Sequence, residues 1–156
     1  MVGFVSFMFG WHVHEKAILM ILIPFSLISC MSAFQARHFF FLNVVGCYSL
    51  FPLLFEQREA PIKIFLLLFH SYFSYLFYHA IFPKRENSTE RFHVGWIQSF
   101  FILGLFIIEL YNLFIHPFFV AHSFPFLNLM IISVFCSIAV SYSFISLYLS
   151  FVFQSK

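Results

Sequence analysis

Five long apolar runs, separated by brief polar clusters, set the plan of the chain. They extend from about Ala17 to Ala33, His38 to Phe55, Pro61 to Phe82, Trp96 to Ile115 and Phe126 to Phe153. A helix advances about 1.5 Å per residue, so roughly 20 apolar residues cross a hydrocarbon layer about 30 Å thick. Each run comes near that length. None shows the in–out alternation of a membrane barrel strand, so the pattern predicts helices. The polar breaks at Gln35-Ala36-Arg37, Glu56 to Lys63, Pro83 to Gly95 and His116 to Pro125 predict short connections. Pro24 lies inside the first run, where its missing amide predicts a kink. The first two runs are short and lightly separated, which also permits a re-entrant pair. No internal repeat or low-complexity linker divides the chain. The expected fold class is all-α: one multi-span transmembrane helical domain over residues 1–156, or part of one.

Composition supports the membrane reading. Of the 156 residues, 62% are hydrophobic and 9% charged, where ordinary soluble domains carry roughly a quarter charged residues. The 28 phenylalanines exceed what a core of this length can bury, so lipid must solvate much of the surface. A net charge of +2 without a basic run gives no footing for nucleic acid. Cys30, Cys47 and Cys136 sit singly in apolar runs and read as small helix side chains rather than a disulfide framework. Met1 to Gly10 has no basic flank and leads straight into a polar cluster instead of a cleavage site. It reads as the tail of a span, and the chain as incomplete.

Orientation follows from basic residues near the span ends. With five spans, Arg37, Lys84, Arg85, Arg91 and Lys156 share one side, and Lys16, Arg58 and Lys63 the other. Five against three predicts a cytosolic C-terminus and a luminal segment 12–16. Asn87-Ser88-Thr89 has the N-glycosylation pattern, but its loop then faces the cytosol and no glycan is expected.

The densest polar cluster is His12, His14, Glu15 and Lys16, beside Trp11. Imidazole N–H groups and an ammonium at a membrane edge suit an anionic phosphate. A snorkelling collar at a helix end, with Trp11 as interfacial anchor, accounts for the same residues equally well. His14-Glu15 opens like the helical zinc-protease pattern, but Ile18 stands where the second histidine is required. No metal or other cofactor is expected. Glu109 lies deep in the fourth run, followed by Tyr111, Asn112 and His116. An ionised group there costs about 2.5–3.5 kcal/mol on insertion scales, so it must face protein or be protonated. A functional role and a structural hydrogen bond between helices both remain open for it. His70 and His79 read as packing or interhelical hydrogen-bonding groups. The chain contains no Asp, and no complete active site is legible.

Phe9-Gly10-Trp11-His12-Val13-His14-Glu15-Lys16-Ala17-Ile18-Leu19 resembles the dolichyl-phosphate-glucose alpha-1,3-glucosyltransferases of the endoplasmic reticulum. Tyr48-Ser49-Leu50-Phe51-Pro52-Leu53-Leu54-Phe55 and Pro61-Ile62-Lys63-Ile64 resemble the same family. The form of these blocks is closer to the members adding the second glucose than to those adding the first. The resemblance is strong over about half the chain and beyond Phe82 is mostly hydropathy. It implies the C-terminal part of a GT-C-type multi-span enzyme in protein N-glycosylation. Such enzymes move glucose from dolichyl phosphate glucose to a dolichyl-diphosphate-linked, mannose-rich lipid-linked oligosaccharide on the luminal side. It further implies His14 as a contact of the donor phosphate, with His12 and Lys16 assisting and Glu15 and Trp11 supporting. The family's general base is an acidic residue in an early luminal loop that this sequence lacks, so no catalytic residue is expected here. The chain alone is expected not to transfer glucose. A non-catalytic membrane scaffold and a small transporter subunit are the alternative readings, the latter resting on Glu109 and the intramembrane histidines. Beyond substrate, the expected partner is membrane lipid.

Overall fold

The apolar runs fold as helices in a computed structural model that describes residues 2–10, 15–53, 60–82, 92–120, 124 and 126–154. Six α-helices follow in chain order: α1 (Val2–Phe9), α2 (Leu19–Ile28), α3 (Ala33–Ser49), α4 (Ala60–Ile81), α5 (Trp96–Leu110) and α6 (Leu127–Gln154). Short 3-10 turns at Glu15–Ile18 and Phe51–Leu53 precede α2 and follow α3, and α5 continues as a π-helical stretch, Tyr111–Val120. No strand occurs among the described residues. Three stretches, Pro61–Ile81, Trp96–Ile115 and Leu127–Phe153, are long and apolar enough to cross a membrane, and Leu19–Ile28 is a shorter apolar helix.

Two expected connections are themselves helical. Gln35-Ala36-Arg37 forms the first turns of α3, because Ser32 caps that helix early: its extended backbone lets the hydroxyl accept the Gln35 amide at 3.2 Å. The stretch after His116 continues the π-helical turns to Val120. Pro24 lies inside α2.

The bundle is organised around α3, which packs against α2, α4, α5 and α6. Ala36, Phe41, Leu42 and Val45 are wholly buried along it. Small residues let neighbours close in. A Cβ at Gly46 would sit 2.9 Å from Leu22 Cδ1 and 3.2 Å from Ile18 Cγ1, so that glycine admits the start of α2 against the end of α3. Between α5 and α6, a Cβ at Gly104 would meet the Phe135 ring at 2.5 Å. Where α3 is enclosed, α4 is bare. Only 6% of its most apolar window is buried, and Phe65, Phe69 and Phe73 run along it as an exposed aromatic stripe. Such a surface is stable only with lipid as its solvent.

Helix directions follow from the contacts. Ser29, just after α2, shares a 2.7 Å hydrogen bond with the hydroxyl of Tyr78 late in α4. Gln98 at the start of α5 reaches His38 at the start of α3, and Glu109 at the end of α5 meets Tyr48 at the end of α3. Ser146, late in α6, also reaches His38. Thus α3 and α5 run one way and α2, α4 and α6 the other.

Candidate functional site

The alternation gathers the chemically interesting groups at one end of the bundle, which we call the motif end. Ile18, closing the 3-10 turn Glu15–Ile18, is buried beside Gly46. That contact fixes the turn carrying the backbone of Glu15 and Lys16 to the last turn of α3. Trp11, His12 and His14 lie outside the described residues, as do the side chains of Glu15 and Lys16. Of the candidate phosphate-binding group, only the backbone of its last two members is therefore located.

Glu109 has a described side chain, as do the intramembrane histidines His70 and His79. The Tyr48 hydroxyl donates to Glu109 Oε2 at 2.8 Å. Tyr48 is 1% exposed, and its ring lies against Phe51 with centroids 5.1 Å apart. Asn112, one helical turn after Glu109, has its Oδ1 buried without a hydrogen-bond partner among the described residues. The π-helical stretch begins at Tyr111 between them. Turns of this kind widen a helix and recur at functional positions.

Sequence reasoning passed over two polar residues of α3 that the structure makes central. Asn43 donates through Nδ2 to Nε2 of His70 at 2.6 Å, and the Cys47 thiol approaches Asn43 Oδ1 at 3.8 Å. His38, 3% exposed, lies between Gln98 and Ser146. The Gln98 carbonyl accepts the Gly95 amide at 3.1 Å, which orients the Gln98 amide toward His38 Nδ1 at 3.4 Å. The imidazole proton then sits on Nε2 and is donated to Ser146 Oγ at 3.1 Å. A readable signal existed. His38, Asn43 and Tyr48 recur every five residues, a step of about 140° around a helix of 3.6 residues per turn. Polar groups pointing in three directions need protein on every side, since lipid offers no partners. His79 makes a ring contact with Tyr75, centroids 6.1 Å apart.

At the opposite end, Arg37 reaches His93 Nε2 at 3.4 Å and stands over the Phe34 ring, 5.6 Å from its centroid. No group of three or more His, Cys, Asp or Glu side chains able to hold a metal ion occurs among the described residues.

Comparison with known proteins agrees with this membrane bundle. Residues 1–147 match the ALG6, ALG8 glycosyltransferase family. The chain is similar to the dolichyl pyrophosphate Glc1Man9GlcNAc2 alpha-1,3-glucosyltransferase of Arabidopsis thaliana, at 42% identity over 147 residues, 90% of this chain and 29% of the relative. The proteins of that name from Bos taurus and Schizosaccharomyces pombe are 41% and 40% identical over 93% of this chain. They are covered over 27% and 28% of their own lengths. The chain thus spans little more than a quarter of the relatives it matches. No solved structure matches it. A helical membrane bundle whose match runs through residues 12–16 and into every helix of the bundle leaves one assignment: the chain belongs to the ALG6, ALG8 glycosyltransferase family.

Proposed function

We propose that this chain is the donor-side portion of an alpha-1,3-glucosyltransferase. It would hold the phosphate of dolichyl phosphate glucose while glucose passes to a dolichyl-diphosphate-linked oligosaccharide in the endoplasmic-reticulum membrane. One observation carries the reading. The turn bearing Glu15 and Lys16 is anchored through Ile18 to Gly46, at the same end as the Tyr48–Glu109 pair and Lys63 near the start of α4. In this reading the motif end faces the lumen and the C-terminus faces the cytosol. His14 donates a hydrogen bond to the phosphate, Lys16 and His12 supply further donors, and Glu15 and Trp11 hold the segment at the interface. As the phosphate departs from the sugar it gains negative charge, and fixed donors stabilise that charge more than they stabilise the bound donor.

The general base belongs to a part of the enzyme outside this sequence, so the purified chain binds donor without turning it over. The test uses the chain in nanodiscs with a photoactivatable dolichyl phosphate glucose. Labelling near residues 12–16 that falls in His14→Ala and Lys16→Gln, with circular dichroism unchanged, supports the reading. Undiminished labelling in both variants, or cysteine accessibility of residues 12–16 from the cytosolic face, refutes it. Net glucose transfer by the chain alone refutes the placement of the base elsewhere.

A further inference from the structure

We propose that Glu109 is a positioning residue for the donor-binding segment. Through Tyr48 it fixes the end of α3 against which the turn Glu15–Ile18 is seated. This role presupposes the donor reading above, and it gives a task to a carboxyl group which that reading leaves unused.

The last turn of α3 is gripped on two opposite sides. On one side Gly46 receives Leu22 and Ile18, the latter 2% exposed, at 2.9 Å and 3.2 Å from where a Cβ would stand. Two residues on, and so about 200° round the helix, the Tyr48 hydroxyl donates to Glu109 Oε2 at 2.8 Å. The Asn112 side chain hydrogen-bonds the same hydroxyl. Its Oδ1 has no partner among the described residues, so the amide N–H is the donor. The Tyr48 hydroxyl is thus held through its proton by α5 and through its oxygen by the π-helical stretch that continues α5. Between the two grips, the Ser49 hydroxyl donates to the Gly46 carbonyl at 2.8 Å and ties the turn to itself.

Ile18 closes a 3-10 turn that rises about 2.0 Å per residue, so the Lys16 backbone lies about 4 Å from it along the turn. A displacement of Gly46 therefore passes through Ile18 to Lys16 and the residues before it. Donors aimed at a phosphate work only when held within about 0.5 Å of their places. Apolar contacts let a helix end slip about its axis, whereas a hydrogen bond weakens steeply off its line. The bonds that tie α3 to other helices at His38 and Asn43 join neutral groups. Behind the seat of Ile18 the acceptor is instead a carboxyl group, a stronger partner, despite the cost of placing one in a membrane.

The test titrates photoactivatable dolichyl phosphate glucose against the purified chain in nanodiscs and maps labelling near residues 12–16. Amide hydrogen exchange of residues 15–18 is followed without donor. In Tyr48→Phe and Glu109→Ala the half-saturating concentration rises about fivefold, the lower end of couplings between linked sites, and residues 15–18 exchange faster. Glu109→Gln, which keeps an acceptor, stays near the unaltered chain. Tyr78→Phe is the matched control, because it removes one hydroxyl bond, to Ser29, at the opposite end of the bundle. It lowers the unfolding midpoint but leaves half-saturation and exchange at residues 15–18 unchanged, whereas a merely structural role would make both tyrosine replacements alike. Should Glu109→Ala misfold by circular dichroism, Tyr48→Phe decides. Half-saturation or exchange that a folded Tyr48→Phe variant leaves unchanged, or equal effects from Tyr78→Phe, overturns the proposal. Absence of labelling near residues 12–16 in the unaltered chain overturns the donor reading instead, and exchange alone then decides whether Glu109 holds the turn.

Discussion

Replacing Tyr48 by Phe removes a single oxygen from the α3–α5 interface at the motif end and should loosen the tie between those helices. The ring keeps its place against Phe51, so packing is conserved while the 2.8 Å bond to Glu109 is lost together with the hydroxyl's hydrogen bond with the Asn112 side chain. Hydrogen bonds between membrane helices average about 0.6 kcal/mol and reach about 1.7, because the unfolded chain in lipid also finds partners. This bond should lie in the upper part of that range, since its donor is 1% exposed and its acceptor is a carboxyl group. Tyr48→Phe is therefore expected to cost about 1–2 kcal/mol. Glu109→Gln keeps a carbonyl acceptor and should cost less than Glu109→Ala. A double-mutant cycle of Tyr48→Phe with Glu109→Ala isolates the pair, and we expect a coupling of about 1 kcal/mol. The assay is reversible unfolding in mixed micelles, followed by circular dichroism. Coupling below about 0.3 kcal/mol, the scatter of independent sites, would refute the assignment of this bond as an interhelical tie.

The other expectations concern close approach and topology. Gly46→Val drives two methyl groups into Ile18 and Leu22 and should destabilise the bundle by about 1–3 kcal/mol, with faster proteolysis near residues 15–18 as the local readout. Gly104→Val meets the edge of the Phe135 ring, itself packed on Phe101. A loss of similar size, about 1–3 kcal/mol, should appear in the same unfolding assay, and an unchanged midpoint would argue against this α5–α6 contact. His38→Leu deprives both Gln98 and Ser146 of a partner and should cost about 1–3 kcal/mol through the buried amide left unsatisfied. Expression in glycosylation-competent membranes should give no glycosidase-sensitive mass shift at Asn87, and a shift mapped there would reverse the proposed orientation.

Hydropathy and chain geometry alone determined the helical membrane class, since continuous apolar runs in lipid can satisfy their amides only within helices. Local residue order also carried the Trp11 to Lys16 motif and singled out Glu109 as an intramembrane carboxyl group in need of a partner. Which helix is enclosed was another matter. α3 is less apolar on average than the other helices, but that it is enclosed on all sides while α4 faces lipid is shown only by the packing. The difference lies in polar groups whose partners are distant in sequence: His38 with Gln98 and Ser146, Asn43 with His70, and Tyr48 with Glu109. A sequence displays the need for a partner but not the partner, because that depends on which helices lie side by side. Gly46 is similar: it reads as one glycine among five until the start of α2 folds against it. The tertiary structure, by running α2 and α4 antiparallel to α3, brings the turn after His14, the Tyr48–Glu109 pair and Lys63 to one end. Hydrophobic periodicity has no power to decide that convergence, since it records how deep a residue lies along its own helix and not which neighbours share that depth.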